Sequence, residues 1–588
     1  MKTRPTSLPF RRGRIAPSVV CVLASLAAPR PAEACTNFLV TRGASVDGST
    51  MISYSADSHV RYGELYLRRG GTWPAGTTVK LFDRGDARPL GEIPQAAQTY
   101  NVIGFMNENQ VAIGESTFGG RKELEDKTGV VDYGSLMFLA MDRARTARDA
   151  IRVIAELVAE HGYASTGESF SIGDPDEVWI MEIIGKGTDL VLDRKSGKRL
   201  NRDKGAVWVA IRIPDGHVSA HANHARITTF PLENGSTSIS SRHLERLSDP
   251  RVEVVYSHDV VDFARRKGYF TGRDEEFRFA DAYAPMDFGA ARFCEVRVWS
   301  FFKGLCAGMD SYLDHVKGKD LANRLPLWVK PDRKVTVADL MAAKRDHLEG
   351  TELDLRLDPG AGPFGLPYRW RPLTWELEGK TYVNERATAT QQTGFSYIAQ
   401  MRKWLPAPIG GILWFGVDDA ASTVYMPMYC GITRVPESLA EGNGDLLAYS
   451  DTAAFWTFSK VANFAYLRYD LMSQDVRRVQ QELETKHLAQ VPAIDAAAGS
   501  LFEREPARAR ELLTDYSSAV ATATVRRWEE LFRYLLVKYI DGNVKKERDG
   551  RFERNEWGFP KPPAHPGYPE SWKRRVVEET GEKLLQPK

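Results

Sequence analysis

Pro29-Arg30-Pro31-Ala32-Glu33-Ala34-Cys35-Thr36-Asn37-Phe38 decides how the rest of this chain is read. Upstream, Arg11, Arg12 and Arg14 form a basic n-region and Ile15 to Ala28 a mostly apolar stretch. Ala32 and Ala34 then supply the small residues that a secretory cleavage site wants just before the cut. Cleavage after Ala34 makes Cys35 the first residue of the mature chain. A residue there carries a thiol and a free α-amine on one Cα, a nucleophile with its own base. A lipoprotein signal would also end before a cysteine, but it wants a leucine-like residue where Ala32 stands and a small one where Glu33 stands. The Arg11-Arg12 pair is only a weak twin-arginine signal.

The remaining chain has 554 of the 588 residues, enough for one large domain with additions. The leader carries six of the 79 basic and one of the 77 acidic residues, so the rest holds 73 against 76, a net −3. That balance, without a clustered basic stripe, gives no reason to expect nucleic-acid binding. Beyond the leader no apolar run approaches the roughly 20 residues of a membrane span. Four cysteines are left, Cys35, Cys294, Cys306 and Cys430. Cys294 and Cys306 are a conceivable disulfide pair, although a core of this size does not need one.

Working outward from Cys35, residues 35–42 read as a strand, Asp47-Gly48 as a turn, and Thr50 to Ser55 as the returning strand. A hairpin centred near Val46 sets Cys35 across from Asp57, a carboxylate beside the nucleophile. Thr99 to Met106 and Gln110 to Gly114 suggest a second strand pair. Leu136 to His161 has helical spacing of apolar residues and stops at Gly162. Further strands are expected at 170–172, 178–184, 207–213, 218–222, 411–417 and 423–428. Thr336 caps a helix to about His347, and 350–375 is a Gly/Pro-rich irregular segment. Long amphipathic helices are expected at 452–486 and 506–539. The pattern is α+β rather than doubly wound. It divides into a leader (1–34), a catalytic domain (35–444), a helical extension (445–540) and a charged, Pro-rich tail (541–588).

Several blocks together resemble one family. They are Cys35-Thr36-Asn37-Phe38-Leu39-Val40 with residues 44–50, Gly104-Phe105-Met106-Asn107-Glu108-Asn109, and Val178-Trp179-Ile180-Met181-Glu182. Ala222-Asn223-His224-Ala225-Arg226, Gly362-Pro363-Phe364-Gly365, Arg369-Trp370-Arg371-Pro372 and Tyr466-Leu467-Arg468-Tyr469 complete the set. The chain is similar there to the PepD-like, secernin-related cysteine dipeptidases, which are N-terminal-nucleophile hydrolases. The resemblance spans most of residues 35–540. It implies a four-layer αββα sandwich and hydrolysis of dipeptides. Taken with the leader and the C-terminal helical pattern, the expectation is an exported cysteine peptidase with a C-terminal helical extension, no cofactor and no metal. Oligomeric state stays open. So do two alternatives: an amidase of N-acyl amino acids or other small amides, and a lipid-anchored, non-catalytic binding protein.

By the same resemblance Cys35 is the nucleophile, Asp57 holds its ammonium, Asn223 donates to the oxyanion, and Arg292 is the late catalytic arginine. Each has a plainer reading as well: Asp57 as a strand-end turn residue, Asn223 as a structural amide, Arg292 as a salt-bridge partner. The sequence departs from the more distant choloylglycine and penicillin V acylases at Tyr54, where they have an arginine, and at Ser116, the nearest match to an asparagine. Both read as pocket wall. Glu115 is either a binder of a substrate ammonium or an exposed strand-end carboxylate. His221 and His224 lie on a strand and lack the helical spacing of a zinc motif.

Overall fold

The computed structural model describes residues 35–195 and 197–587. The expected leader, residues 1–34, and the cleavage expected after it lie outside the described residues. Two antiparallel-rich sheets carry the core. The first has seven strands in the order Trp328–Val329, Val218–His221, Asn37–Val40, Thr50–Asp57, Thr393–Met401, Gly411–Val417 and Met426–Tyr429. The second has nine, with Ala112–Gly119, Gly167–Gly173, Val178–Gly185 and Ala206–Arg212 adjacent at its centre. The four central strands of the second sheet are largely buried, as expected for a sheet covered on both faces; Val178–Gly185 and Ala206–Arg212 are mostly apolar, whereas Ala112–Gly119 and Gly167–Gly173 bury Glu115, Ser116, Glu168, Ser169 and Ser171. Thr50–Asp57 packs across the second sheet's Ala112–Gly119 and Gly167–Gly173, so the inner faces meet there. His221 joins them: its Nδ1 meets Ser116 Oγ at 2.6 Å and its Nε2 meets Ser171 Oγ at 2.7 Å.

Helices Tyr133–Arg143 and Ala147–His161 pack on the outer side of the second sheet. The apolar spacing over 136–161 predicts one helix, but the chain breaks at 144–146. The first helix ends where Asn107 Nδ2 binds the carbonyls of Met141 and Ala144, both at 2.8 Å, and Thr146 then caps the second. Periodicity survives the break, which is why the sequence conceals it. Gly162 ends the second helix with φ +77°, a backbone that glycine tolerates. Thr336 caps Val337–Lys344 through the reciprocal Thr336/Asp339 bonds of a capping box.

At the C-terminal end, Ala454–Ala465, Tyr469–Phe502 and Pro506–Tyr539 form the expected helical region, interrupted by a short turn at Tyr466–Arg468. The last of them covers the edge strand Met426–Tyr429, where Ser517 Oγ donates to the Pro427 carbonyl at 3.0 Å. Arg468 anchors the tail by donating to the carbonyls of Gly542 (2.6 Å) and Gly567 (3.0 Å), and Tyr568 stacks on Phe364. Among the described residues no helix is long and apolar enough to cross a membrane. Cys294 and Cys306 are separate thiols, so the conceivable disulfide is absent; Cys306 Sγ instead faces the Lys330 carbonyl at 3.4 Å.

Candidate active site

Cys35 sits at the leading end of a central strand. Thr36 bridges Ser55, and Asn37–Val40 is held between Thr50–Asp57 and Val218–His221. Leu39 faces Ile52 and Thr36 faces Ser55, so paired positions sum to 91 and Cys35 stands across from Ala56. The expected hairpin register is therefore one residue out: the short 3-10 turn Arg42–Ala44 takes up chain that a plain turn would not. Asp57 follows at a bulge against Thr393 and Phe395. Its carboxylate accepts from Thr393 Oγ1 at 2.8 Å and from Arg386 at 3.4 Å. Lys344 feels both Asp57 and Cys35 electrostatically, which puts the two acids in one neighbourhood.

Two groups from the sheet interior back the thiol. Cys35 Sγ lies 3.5 Å from Glu115 Oε1 and 3.6 Å from Tyr54 OH, while Tyr54 donates to Glu115 Oε1 at 2.7 Å. All three residues are buried. Asn37 Nδ2 donates to the Glu115 carbonyl at 2.5 Å, tying the strand that Cys35 leads to the other sheet. The approach requires Gly114: a Cβ there would stand 2.4 Å from Asn37 Oδ1. Glu115 is thus an interior carboxylate, not an exposed strand end. Burial, then the charges of Cys35 and Glu115, pushes the Tyr54 phenol well above its ordinary pKa, so it remains a donor.

The other side of Cys35 is cationic. Arg297 Nη1 donates to the Cys35 carbonyl at 2.8 Å and to Thr36 Oγ1 at 2.7 Å. Its Nη2 donates to Asn223 Oδ1 at 2.9 Å and to the Ala222 carbonyl at 3.2 Å. Arg386 reaches the same Asn223 oxygen at 3.4 Å. Asn223 takes φ +57°, a left-handed backbone that asparagine adopts more readily than most residues, and its Nδ2 donates to the Thr117 carbonyl at 2.8 Å. Lys344 Nζ donates to the Thr36 carbonyl at 2.5 Å and lies 4.8 Å above the Phe38 ring.

Burial sets the titration of these groups. It lifts Asp57 to about 6 against the opposing pull of Arg386. It lowers Lys344 to about 7, resisted by Asp57 and Cys35, and lowers Arg386 to about 9, helped by Arg297. It takes His221 down to about 3, so the inter-sheet imidazole is neutral.

The structure brings Cys35, Asp57 and Asn223 into this cluster, with Arg386 and Arg297 as the links. Arg292 stands apart from the Cys35 carbonyl: it pairs with Glu385, and the guanidinium on Cys35 belongs to Arg297, five residues on. Residues 290–295 form a wide π turn that leads into the helix Val296–Lys303, and Arg297 falls on its buried side. A lone arginine among Val296, Val298, Trp299, Phe301 and Phe302 is the signal that marks it. Lys344 carries a similar signal at the end of its apolar helix. Arg371 and Arg386 lie in irregular chain and carry none. Ser116, expected as pocket wall, is bonded to His221; His224 lies 3.3 Å from Arg324.

The profile of peptidase family C69 matches residues 34–68 and 75–482. A probable dipeptidase B of Streptococcus pyogenes serotype M1 is 24% identical over 554 residues, covering 91% of this chain and 97% of its own length. A probable dipeptidase of Latilactobacillus sakei is 22% identical, covering 83% and 93%, and one of Salmonella dublin is 23% identical, covering 68% and 81%. The matched span begins at the junction before Cys35 and takes in every residue of the cluster just described. This chain belongs to peptidase family C69.

Proposed function

We propose that the chain is an exported dipeptidase, cut before Cys35, whose N-terminal thiol attacks the peptide carbonyl. The observation that carries this reading is the placement of Cys35 at a strand end between a cationic face (Arg297, Lys344) and an interior hydrogen-bonded pair (Tyr54, Glu115). The names of the relatives supply the substrate class, and the two stacked sheets with helices outside them agree with a four-layer αββα sandwich of the N-terminal-nucleophile type.

In this mechanism the freed α-amine, with an ordinary pKa of roughly 7.7–8.0, accepts the thiol proton near neutrality. The cations Arg297 and Lys344 favour the thiolate. Sulfur bonds to the carbonyl carbon, and the oxyanion is met by Asn223, whose amide is oriented by Arg297 on its oxygen. The C–N bond breaks, the α-ammonium hands its proton to the departing amine, and a thioester remains. Water, deprotonated by the same amine, then hydrolyses the thioester and returns the thiol. Asp57 holds the ammonium through the cycle, and Arg297 takes the part first expected of Arg292.

The test is mass spectrometry of the mature N-terminus together with a panel of dipeptides, tripeptides and N-acyl amino acids. A free Cys35 and turnover of dipeptides are expected. A diacylglyceryl cysteine, or turnover of N-acyl amino acids alone, would overturn the proposal.

A further inference from the structure

Beside the catalytic cluster a small, half-open cleft, with about 20 Å³ of interior space, is lined by Tyr368, Arg371, Glu385, Arg386, Thr390 and Gln391. Arg386 forms its wall toward Asp57 and Asn223; Arg371 stands at its exposed rim. The acidic residue on its lining, Glu385, is already engaged by Arg292. Around the buried Asp57 the cations Arg297, Arg371, Arg386 and Lys344 all lie within electrostatic reach. Four cations thus face one carboxylate, and Arg386 and Arg297 already repel each other.

Arg371 is the member least committed. Its Nε donates to Gln392 Oε1 at 3.0 Å, and Gln392 Nε2 in turn donates to the Asp57 carbonyl at 3.0 Å. Among the described residues that is the guanidinium's one hydrogen bond, so both terminal nitrogens lack a protein acceptor. A guanidinium oriented through Nε presents its terminal pair as a fork, the geometry that receives a carboxylate by two parallel bonds.

We infer that this cleft binds the C-terminal carboxylate of the substrate, with Arg371 gripping it and Arg386 supplying charge from behind. The inference rests on the dipeptidase reading and adds to it the reason for two-residue length. In a dipeptide the free carboxylate lies one residue past the scissile carbonyl, ~3.5 Å along the chain. In a tripeptide that position is a neutral amide, and the charge falls one residue farther on. Binding a charge in a partly buried site that is short of anions costs little desolvation, because the cations are there before the substrate arrives.

The experiment compares alanyl-alanine with alanyl-alaninamide, which differ only in that charge, on protein with a verified Cys35 N-terminus. The wild type is expected to prefer the acid by ~100-fold or more in kcat/KM, a typical worth for a charged bidentate contact. Arg371→Gln is expected to bring the ratio to about tenfold or lower through a higher KM for the acid. Arg371→Lys, which keeps charge but not the fork, is expected to fall between. A wild-type ratio within threefold, or a ratio unmoved in an Arg371→Gln protein of wild-type Tm, overturns the inference while leaving the dipeptidase reading intact. Hydrolysis of neither compound overturns that reading instead. Calorimetry of both compounds on Cys35→Ala protein then still reports on the cleft: tighter binding of the acid supports it, and equal binding rejects it.

Discussion

Arg297 Nη1 lies 2.8 Å from the carbonyl oxygen of Cys35, and the other arm of the same guanidinium holds Asn223 Oδ1 at 2.9 Å. One side chain therefore fixes both the backbone of Cys35, the proposed nucleophile, and the amide proposed for the oxyanion. Arg297→Gln is expected to lower kcat/KM by about 100-fold, as loss of a charged, buried donor costs roughly 2–4 kcal/mol. Arg292→Gln, which breaks only the pair with Glu385, is expected to cost less than tenfold. Equal losses in the two variants would return the catalytic role to Arg292.

Cys35→Ala removes the sulfur and leaves the α-amine, and activity is expected to fall by at least ~10³-fold. Uncut chain carrying Ala34 before Cys35 is expected to be equally inactive, since its α-nitrogen is an amide. Activity in a preparation shown by intact mass to be wholly uncut would contradict the proposed base.

In the proposed mechanism Asp57 acts as an ionised carboxylate, and burial raises its pKa to about 6. The kcat/KM profile is therefore expected to decline tenfold per unit below the α-amine's roughly 7.7–8.0 and to steepen to about a hundredfold per unit below about pH 6, and Asp57→Asn to abolish the steeper limb along with most of the activity. The stability sign is opposite. A carboxyl raised from 3.8 binds its proton more tightly folded than unfolded, so its contribution falls as pH rises from about 4 to 6. Wild type measured against Asp57→Asn by thermal melts should lose ground over that interval.

Lys344 is depressed from 10.5 to about 7 by burial. Between those values the unfolded chain binds more protons than the folded one, so stability gains with pH. Against Lys344→Met, the wild type should become relatively more stable from pH 7 to 10 and show no relative change below about 6. A flat difference across the range would mean that the ammonium is stabilised where it sits.

Glu115 Oε1 stands 3.5 Å from Cys35 Sγ, where an ionised carboxylate opposes the thiolate. Glu115→Gln is expected to lower the apparent pKa of Cys35 by about one unit, read from the pH dependence of iodoacetamide alkylation. A higher pKa would reverse the assignment and make Glu115 the acceptor that activates the thiol.

What could be read from the residues alone follows a physical line. Strands 411–417 and 178–185, the helix 506–539 and the Thr336 cap were legible because period, length and capping chemistry are local. The Cys35 hairpin was legible in kind and wrong by one residue, because register depends on a turn conformation that the sequence does not encode in its apolar pattern. Cys35, Asp57 and Asn223 stood out through motif context. Arg371 and Arg386 were silent, since irregular chain has no periodicity against which a buried cation looks odd. Arg297 and Lys344 were audible in principle as charges set among the apolar residues of short helices.

The imidazole of His221 spans the two sheets between Ser116 and Ser171 and stays uncharged down to about pH 3. Unfolded, the same ring would take up a proton below about pH 6.5, so acid draws the seam between the two sheets toward the unfolded chain. Asp57 has the opposite sign, because its proton is held more tightly in the fold. Souring the medium therefore strikes twice: it neutralises the carboxylate next to Cys35, and it tugs at the joint on which the two sheets hinge.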